Sequence, residues 1–247
     1  TRSVMQEISM QVILQAVFGL HEGKRFQEIK QLMAYLSDTF SSPFSSSFLF
    51  FDFLQKDLGA WSPWGKFVRK RAKVDELIYA EIAERRTKSK AHGVDILSLL
   101  MEARYEDGTA MSDKELRDEL MTLLFAGHET TATAMAWALY WIHHTPGVKQ
   151  KLLEELDTVD DFSDLMGISR LPYLSAVCNE TLRITPVAIL TFAREVQEPV
   201  EMLEHKLETG QMLFGCIYLL HQREDLYPQP KQFKPERFLE RQFSPYE

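Results

Sequence analysis

One stretch constrains this chain more than any other: from Ser112 to His144 it contains no proline and one glycine, Gly127. Ser112 followed by Glu115 is a capping-box signature that starts a helix near Asp113. Thr145-Pro146-Gly147 stops it after about His144. Roughly 30 residues at ~1.5 Å each give a rod of about 45 Å, long enough to cross a whole domain. Leu120, Leu123, Leu124, Met135, Ala138 and Leu139 keep it apolar along its length, so it is expected to lie buried at the centre.

The remaining pattern fits around that rod. Ser3–Leu20 and Arg25–Phe40 carry apolar residues at helical spacing, and Lys66–Arg86 reads as a long helix whose Arg and Lys residues form a solvated face. A short helix over Val94–Tyr105 lies between turns at His92-Gly93 and Asp107-Gly108. Val148–Leu156 and Pro172–Ile184 follow, with Pro172 suited to a first turn. After Pro186 the texture changes: Ile189–Val196 and Met212–Leu219 read as strands, with a turn at Glu208-Thr209-Gly210. Pro228, Pro230, Pro235 and Pro245 make Tyr227–Glu247 an irregular meander. The Ser/Pro/Phe break at Ser41–Ser47 leads into Phe48, Leu49, Phe50, Phe51 and Phe53, aromatics suited either to a core or to a ligand entrance. The expected fold is mainly α with a small β-sheet. It forms a single partial domain over 1–247, mostly helical to 186, with a small sheet region and meander over 187–247.

Composition excludes several functions. The 247 residues are 45% hydrophobic and 26% charged, ordinary for a folded protein, and the formal net charge of -8 argues against a nucleic-acid partner. No apolar run has the length of a bilayer span. Cys178 and Cys216, the only cysteines, exclude a disulfide scaffold and suit a reducing, cytoplasmic compartment; both read as small buried hydrophobes.

The segment Ala126-Gly127-His128-Glu129-Thr130-Thr131 breaks local rules in the middle of the long helix. A mid-helix glycine costs about 1 kcal/mol, threonine hydroxyls can bond back one turn, and a carboxylate in an apolar stretch costs desolvation. Such clustered violations point to function. His128-Glu129 opens the zinc-protease pattern, but the second histidine position is Ala132, which removes that reading. The other reading is that Gly127 lets a flat ligand and a small gas molecule approach the helix, with Glu129 and Thr130 supplying protons and a hydroxyl. Further on, Glu180 and Arg183 share a helix face at i,i+3, and Arg237 follows in Phe233-Lys-Pro-Glu-Arg-Phe238.

Ala-Gly-x-Glu-Thr-Thr, Glu-x-x-Arg and Pro-Glu-Arg-Phe, in this order, resemble the cytochrome P450 family over nearly the whole chain. The resemblance implies that fold, incomplete at both ends. It implies haem b (iron protoporphyrin IX) as cofactor, with Ala126 and Gly127 beside it and a propionate paired to Arg194. Thr130 would hydrogen-bond dioxygen and Glu129 would link it to a proton source. Glu180, Arg183 and Arg237 would form a structural triad behind the haem. No metal ligand is expected within the chain: the haem-binding cysteine loop would fall just after Ser244-Pro245-Tyr246-Glu247, and neither Cys178 nor Cys216 takes its place by position. Leu203-Glu204-His205 departs from the Gly-containing turn common in the family. The implied activity is insertion of one oxygen atom into an apolar, fatty-acid-like substrate, using O2 and electrons from a ferredoxin or flavoprotein reductase. The alternative is a haem-free helical binding or scaffold protein, should the natural chain end at Glu247.

Overall fold

Each long helix of the N-terminal half buries one stripe of its surface, and the stripes meet. In the computed structural model, which describes residues 2–20, 22–41, 47, 51, 54–59, 61–87 and 94–241, these are α1 (Arg2–Phe18), α2 (Lys24–Ser41) and α3 (Pro63–Thr87). They are followed by the short α4 (Ile96–Glu102) and the long α5 (Asp113–His144). Met10, Leu14 and Val17 on α1, Ile29, Met33 and Leu36 on α2, Val74, Ile78 and Ile82 on α3, and Leu116, Leu120 and Leu124 on α5 form one buried cluster. The spacing of three and four residues within each set is the helical repeat that produced them. The chain divides into two compact units, Thr1–Ala132 and Thr133–Glu247, and this cluster is the core of the first. Phe51 is exposed; the rest of the aromatic run from Phe48 to Phe53, the turn at His92-Gly93 and residues 242–247 lie outside the described residues.

The capping box forms as the sequence dictates. The Ser112 backbone N–H donates to Glu115 Oε2 at 2.8 Å and the Glu115 N–H donates to Ser112 Oγ at 3.3 Å. Burial of α5 departs from expectation in its last third. Leu116, Leu120, Met121, Leu124, His128 and Ala132 are buried, whereas Met135, Ala138 and Leu139 are half-buried. On α3 the solvated-face expectation holds for Arg69 and Lys73 but fails for Glu81 and Arg85. Glu81 is 5% exposed and accepts from Arg85 at 3.0 Å and from Arg25, and Arg85 also bonds Asp95 at 2.6 Å, Ser98 at 2.7 Å and the Phe18 carbonyl. These charges face the end of α1 and the Asp95 cap of α4, so they are buried with every oxygen engaged.

The second unit contains the rest of α5, then α6 (Val148–Leu156), α7 (Leu165–Ser169) and α8 (Pro172–Ile184). Helix α7 is too short for periodicity to reveal it; Asp164 caps it by accepting from the Gly167 N–H at 2.9 Å. Helix α8 begins at Pro172 without a cap of its own, and Glu155 of α6 supplies one, accepting from the Tyr173 and Leu174 N–H groups at 2.7 and 2.8 Å. Val148, Leu152, Tyr173, Val177, Ile184 and Phe233 form the core, with Trp141 stacked on Phe233 at 5.2 Å.

The strands are shorter than the sequence suggests. β1 (Arg194–Glu195) pairs antiparallel with β4 (Met212–Leu213), and β2 (Val200–Met202) with β3 (His205–Leu207). Ile189–Leu190 contributes only a bridge from Leu190 to Cys216, and Ile217–His221, expected in part as strand, is helix α9. A continuous apolar run carries neither period, so it does not distinguish the two. The β2–β3 turn consists of Leu203 and Glu204, both left-handed at φ 50° and 65°, the primed geometry that hairpin twist favours, here without glycine. The meander is irregular until α10 (Arg237–Glu240). No described helix is long and apolar enough to cross a membrane.

Candidate functional site

In the first unit, α1 holds the rule-breaking turn of α5 from one side. A Cβ on Gly127 would sit 2.7 Å from Ile13 Cδ1, so the missing side chain is taken up by α1. This corrects the reading in which Gly127 opens the helix to a ligand: the space is already filled by a neighbouring helix. Ser9 Oγ donates to the His128 carbonyl at 2.8 Å, and Gln6 Nε2 donates to Glu129 Oε1 at 2.6 Å. Arg2 adds an ion pair to Glu129 Oε2 at 3.1 Å. Arg2 is half exposed, so that pair contributes about 0–1 kcal/mol, and the shorter Gln6 bond does more to fix the carboxylate.

The next residue faces elsewhere. A step of about 100° along a helix turns Thr130 away from Glu129, and Thr130 is exposed together with Ala126 and Thr131. Its hydroxyl donates back to the Ala126 carbonyl at 2.5 Å, the local bond expected of a mid-helix threonine. Glu129 and Thr130 are thus neighbours in sequence with side chains committed to different partners. His128 is 2% exposed and Ala132 is fully buried. Among the described residues no group of three or more His, Cys, Asp or Glu could hold a metal ion.

In the second unit Glu180, Arg183 and Arg237 come together. Glu180 is fully buried and Arg183 is 2% exposed, so this pair is not a surface one. Arg183 donates from Nε to Oε2 at 2.7 Å and from Nη2 to Oε1 at 2.8 Å, a bidentate fork. Arg237 Nε reaches Oε1 at 3.1 Å, and the Lys234 N–H donates to the same oxygen at 2.8 Å. The surplus positive charge meets carbonyls: Arg183 donates to His221 at 2.9 Å and Arg237 to Pro228 at 3.1 Å. His221 returns the contact through Nδ1 to the Arg183 carbonyl at 3.0 Å, and burial, partly opposed by that bond, keeps its pKa below the ordinary value. Tyr227 lies 5.2 Å under the Arg183 guanidinium. His221, Tyr227 and Lys234 were not foreseen as members of this network; two of them act through backbone atoms, which leave no sequence signal.

Arg194 stands on β1 with an exposed side chain, and among the described residues it forms no ion pair. Cys178 is exposed and Cys216 half-buried, which corrects their reading as buried hydrophobes. Cys178 occupies the outer face of α8, and Cys216 caps α9. Neighbouring atoms still desolvate the Cys178 thiol enough to raise its pKa, which disfavours the thiolate.

The cytochrome P450 family model matches residues 1–246. A putative cytochrome P450 135B1 of Mycobacterium tuberculosis is 36% identical over 242 residues, covering 98% of this chain and 49% of that protein. A putative cytochrome P450 137 of the same species is 32% identical over 239 residues, covering 96% and 47%. Among solved structures, a retinoic-acid-bound cyanobacterial CYP120A1 aligns with a TM-score of 0.76 at 24% identity over 96% of this chain and 51% of that one. A zebrafish cytochrome P450 with progesterone gives 0.76 at 23% identity over 97% and 56%. The solved-structure matches show the fold: mainly helical, with the long α5 at its centre of sequence and small antiparallel strand pairs after it. The chain belongs to the cytochrome P450 family, and it spans about half the length of the curated relatives it matches.

Proposed function

We propose that this chain forms part of a haem-dependent monooxygenase that inserts one oxygen atom of O2 into an apolar, fatty-acid-like substrate. The observation that carries the reading is the turn at 126–131: a threonine hydroxyl on an open face of α5, one residue after a carboxylate held by α1. Ala126 and Thr130 leave that face free of bulky side chains, and Arg194 is an exposed guanidinium without an ion pair among the described residues. By the resemblance, Ala126 on α5 and Arg194 on β1 are the residues that would hold a flat macrocycle with anionic propionates, a small side chain for its face and a guanidinium for its acid group. When bound, haem supplies the activation of dioxygen, with two electrons from a ferredoxin or flavoprotein reductase.

The chain's own residues then handle protons and position. Thr130 holds a hydroxyl proton at Oγ1 on the Ala126 carbonyl, and a rotation about χ1 would turn that proton towards the open face of α5. Glu129 is the residue that replaces this proton, which requires its carboxylate to leave Gln6 and Arg2. Glu180, Arg183 and Arg237 take no part in the chemistry; they lock the meander to α8.

Thr130→Ala in the complete haem-loaded protein tests the reading. Oxygenated product per NAD(P)H consumed should fall several-fold while consumption continues, the missing electrons appearing as hydrogen peroxide. An unchanged ratio would remove Thr130 from proton delivery.

A further inference from the structure

On the exposed side of α5, Phe67, Arg71, Met121, Thr122, Phe125 and Ala126 line an open groove of about 430 Å³ against α3. Its walls are apolar apart from two groups. The Thr122 hydroxyl is spent on the Asp118 carbonyl at 2.8 Å. The Arg71 guanidinium forms neither an ion pair nor a side-chain hydrogen bond among the described residues. Asp75, the carboxylate one turn along, lies close enough to feel the Arg71 charge but takes its ion pair from Arg117 at 3.1 Å, and Asp118 is engaged by Lys114 at 2.8 Å and by Arg117.

The groove has a direction. Arg86 pairs with Asp113 at 2.6 Å, and Asp75, earlier on α3, pairs with Arg117, later on α5. The two helices therefore run in opposite senses. In that sense Arg71 lies towards the Met121–Thr122 end of the groove, and Phe67, one turn earlier, towards the Phe125–Ala126 end. The charged end lies away from the 126–131 turn and the aromatic end lies next to it. From Thr122 to Thr130 the helix advances about 12 Å at ~1.5 Å per residue.

We infer that Arg71 is the carboxylate anchor of the substrate groove. A long-chain acid binds with its carboxylate on Arg71 and its tail over Phe67, Phe125 and Ala126 towards Thr130. A guanidinium with no hydrogen-bonded partner among the described residues, over apolar walls, selects an amphipathic anion, because a neutral lipid leaves its donors unmatched and a short acid leaves the walls uncovered. The orientation directs oxygen to carbons remote from the carboxyl group. That second step rests on the monooxygenase reading; the anchoring does not.

The test uses the complete haem-loaded protein with dodecanoic acid and dodecan-1-ol as probes, binding measured by calorimetry and products by mass spectrometry. Arg71→Gln should weaken dodecanoate about 5–10-fold, the loss of one partly screened charge-assisted contact, and leave dodecanol unchanged. Arg71→Lys should keep part of the preference. Arg71 is exposed, so a thermal melt matching the parent confirms that the variant folds. Equal loss for both probes, or no loss for either, overturns the anchor. Dodecanoate that binds through Arg71 without yielding oxygenated product leaves the anchor standing and removes the monooxygenase reading. Identical product positions in parent and Arg71→Gln overturn the anchor while the monooxygenase reading survives.

Discussion

Glu180 accepts from Arg183 twice, from Arg237 and from the Lys234 N–H, with no exposed surface of its own. Such a carboxylate is held in place because the groups around it have no other counter-charge: two guanidiniums are buried with it, and carbonyls can solvate them but not neutralise them. Glu180→Gln keeps the shape and removes the charge. It also places an amide NH2 against at least one arginine donor. The expected cost is about 3–5 kcal/mol, the range for breaking a buried pair from one side. Urea denaturation of the two proteins reads it directly, and a loss below about 1 kcal/mol would show the cluster to be a minor one. An i,i+3 pair of this kind is legible in the sequence, but its burial is not. That depends on Phe233, Gln232 and Pro228 folding back some fifty residues later, and on His221 and Tyr227 closing the remaining sides.

At the scale of the element, the boundaries of α5, α6 and α8 were readable because each is set by local chemistry. The Ser112–Glu115 box starts one, Thr145-Pro146-Gly147 stops it, and Pro172 opens another. The elements without such marks differ from expectation: Ile217–Leu220 is a continuous apolar run, β1 is exposed on both faces and β4 is no more than half-buried, so no buried alternation specifies them. Gly127 shows a second limit. Its cost to the helix is visible in sequence, but its cause is Ile13, more than a hundred residues away. Gly127→Ala should therefore be nearly neutral or mildly destabilising, because the gain in helix propensity of about 1 kcal/mol is offset by overpacking against Ile13 Cδ1. In an Ile13→Val background the terminal methyl is gone and the same change should stabilise. A double-mutant cycle on thermal or urea unfolding should give a coupling of about 1 kcal/mol. A coupling indistinguishable from zero would mean that Gly127 does not owe its place to α1.

For the whole molecule, the informative element is again α5, which contributes buried residues to the first core and Trp141 and Ile142 to the second. The two compact units meet in sequence at Ala132–Thr133, inside this helix and without a break in it. A helix is cooperative along its length, and Thr133–His144 has no fully buried residue of its own to hold it once the preceding turns are lost. Its stability should therefore depend on the first core. Leu120→Ala empties a fully buried site and should cost about 2–5 kcal/mol. Native-state hydrogen exchange then separates two outcomes. If α5 transmits the loss, amide protection falls across 133–144 as well as across 113–132, even though no residue of the second unit was changed. If protection at 133–144 stays at the parent level while the first unit opens, the stacking of Trp141 on Phe233 and the packing of Ile142 hold that end of the helix unaided, and the two units open separately.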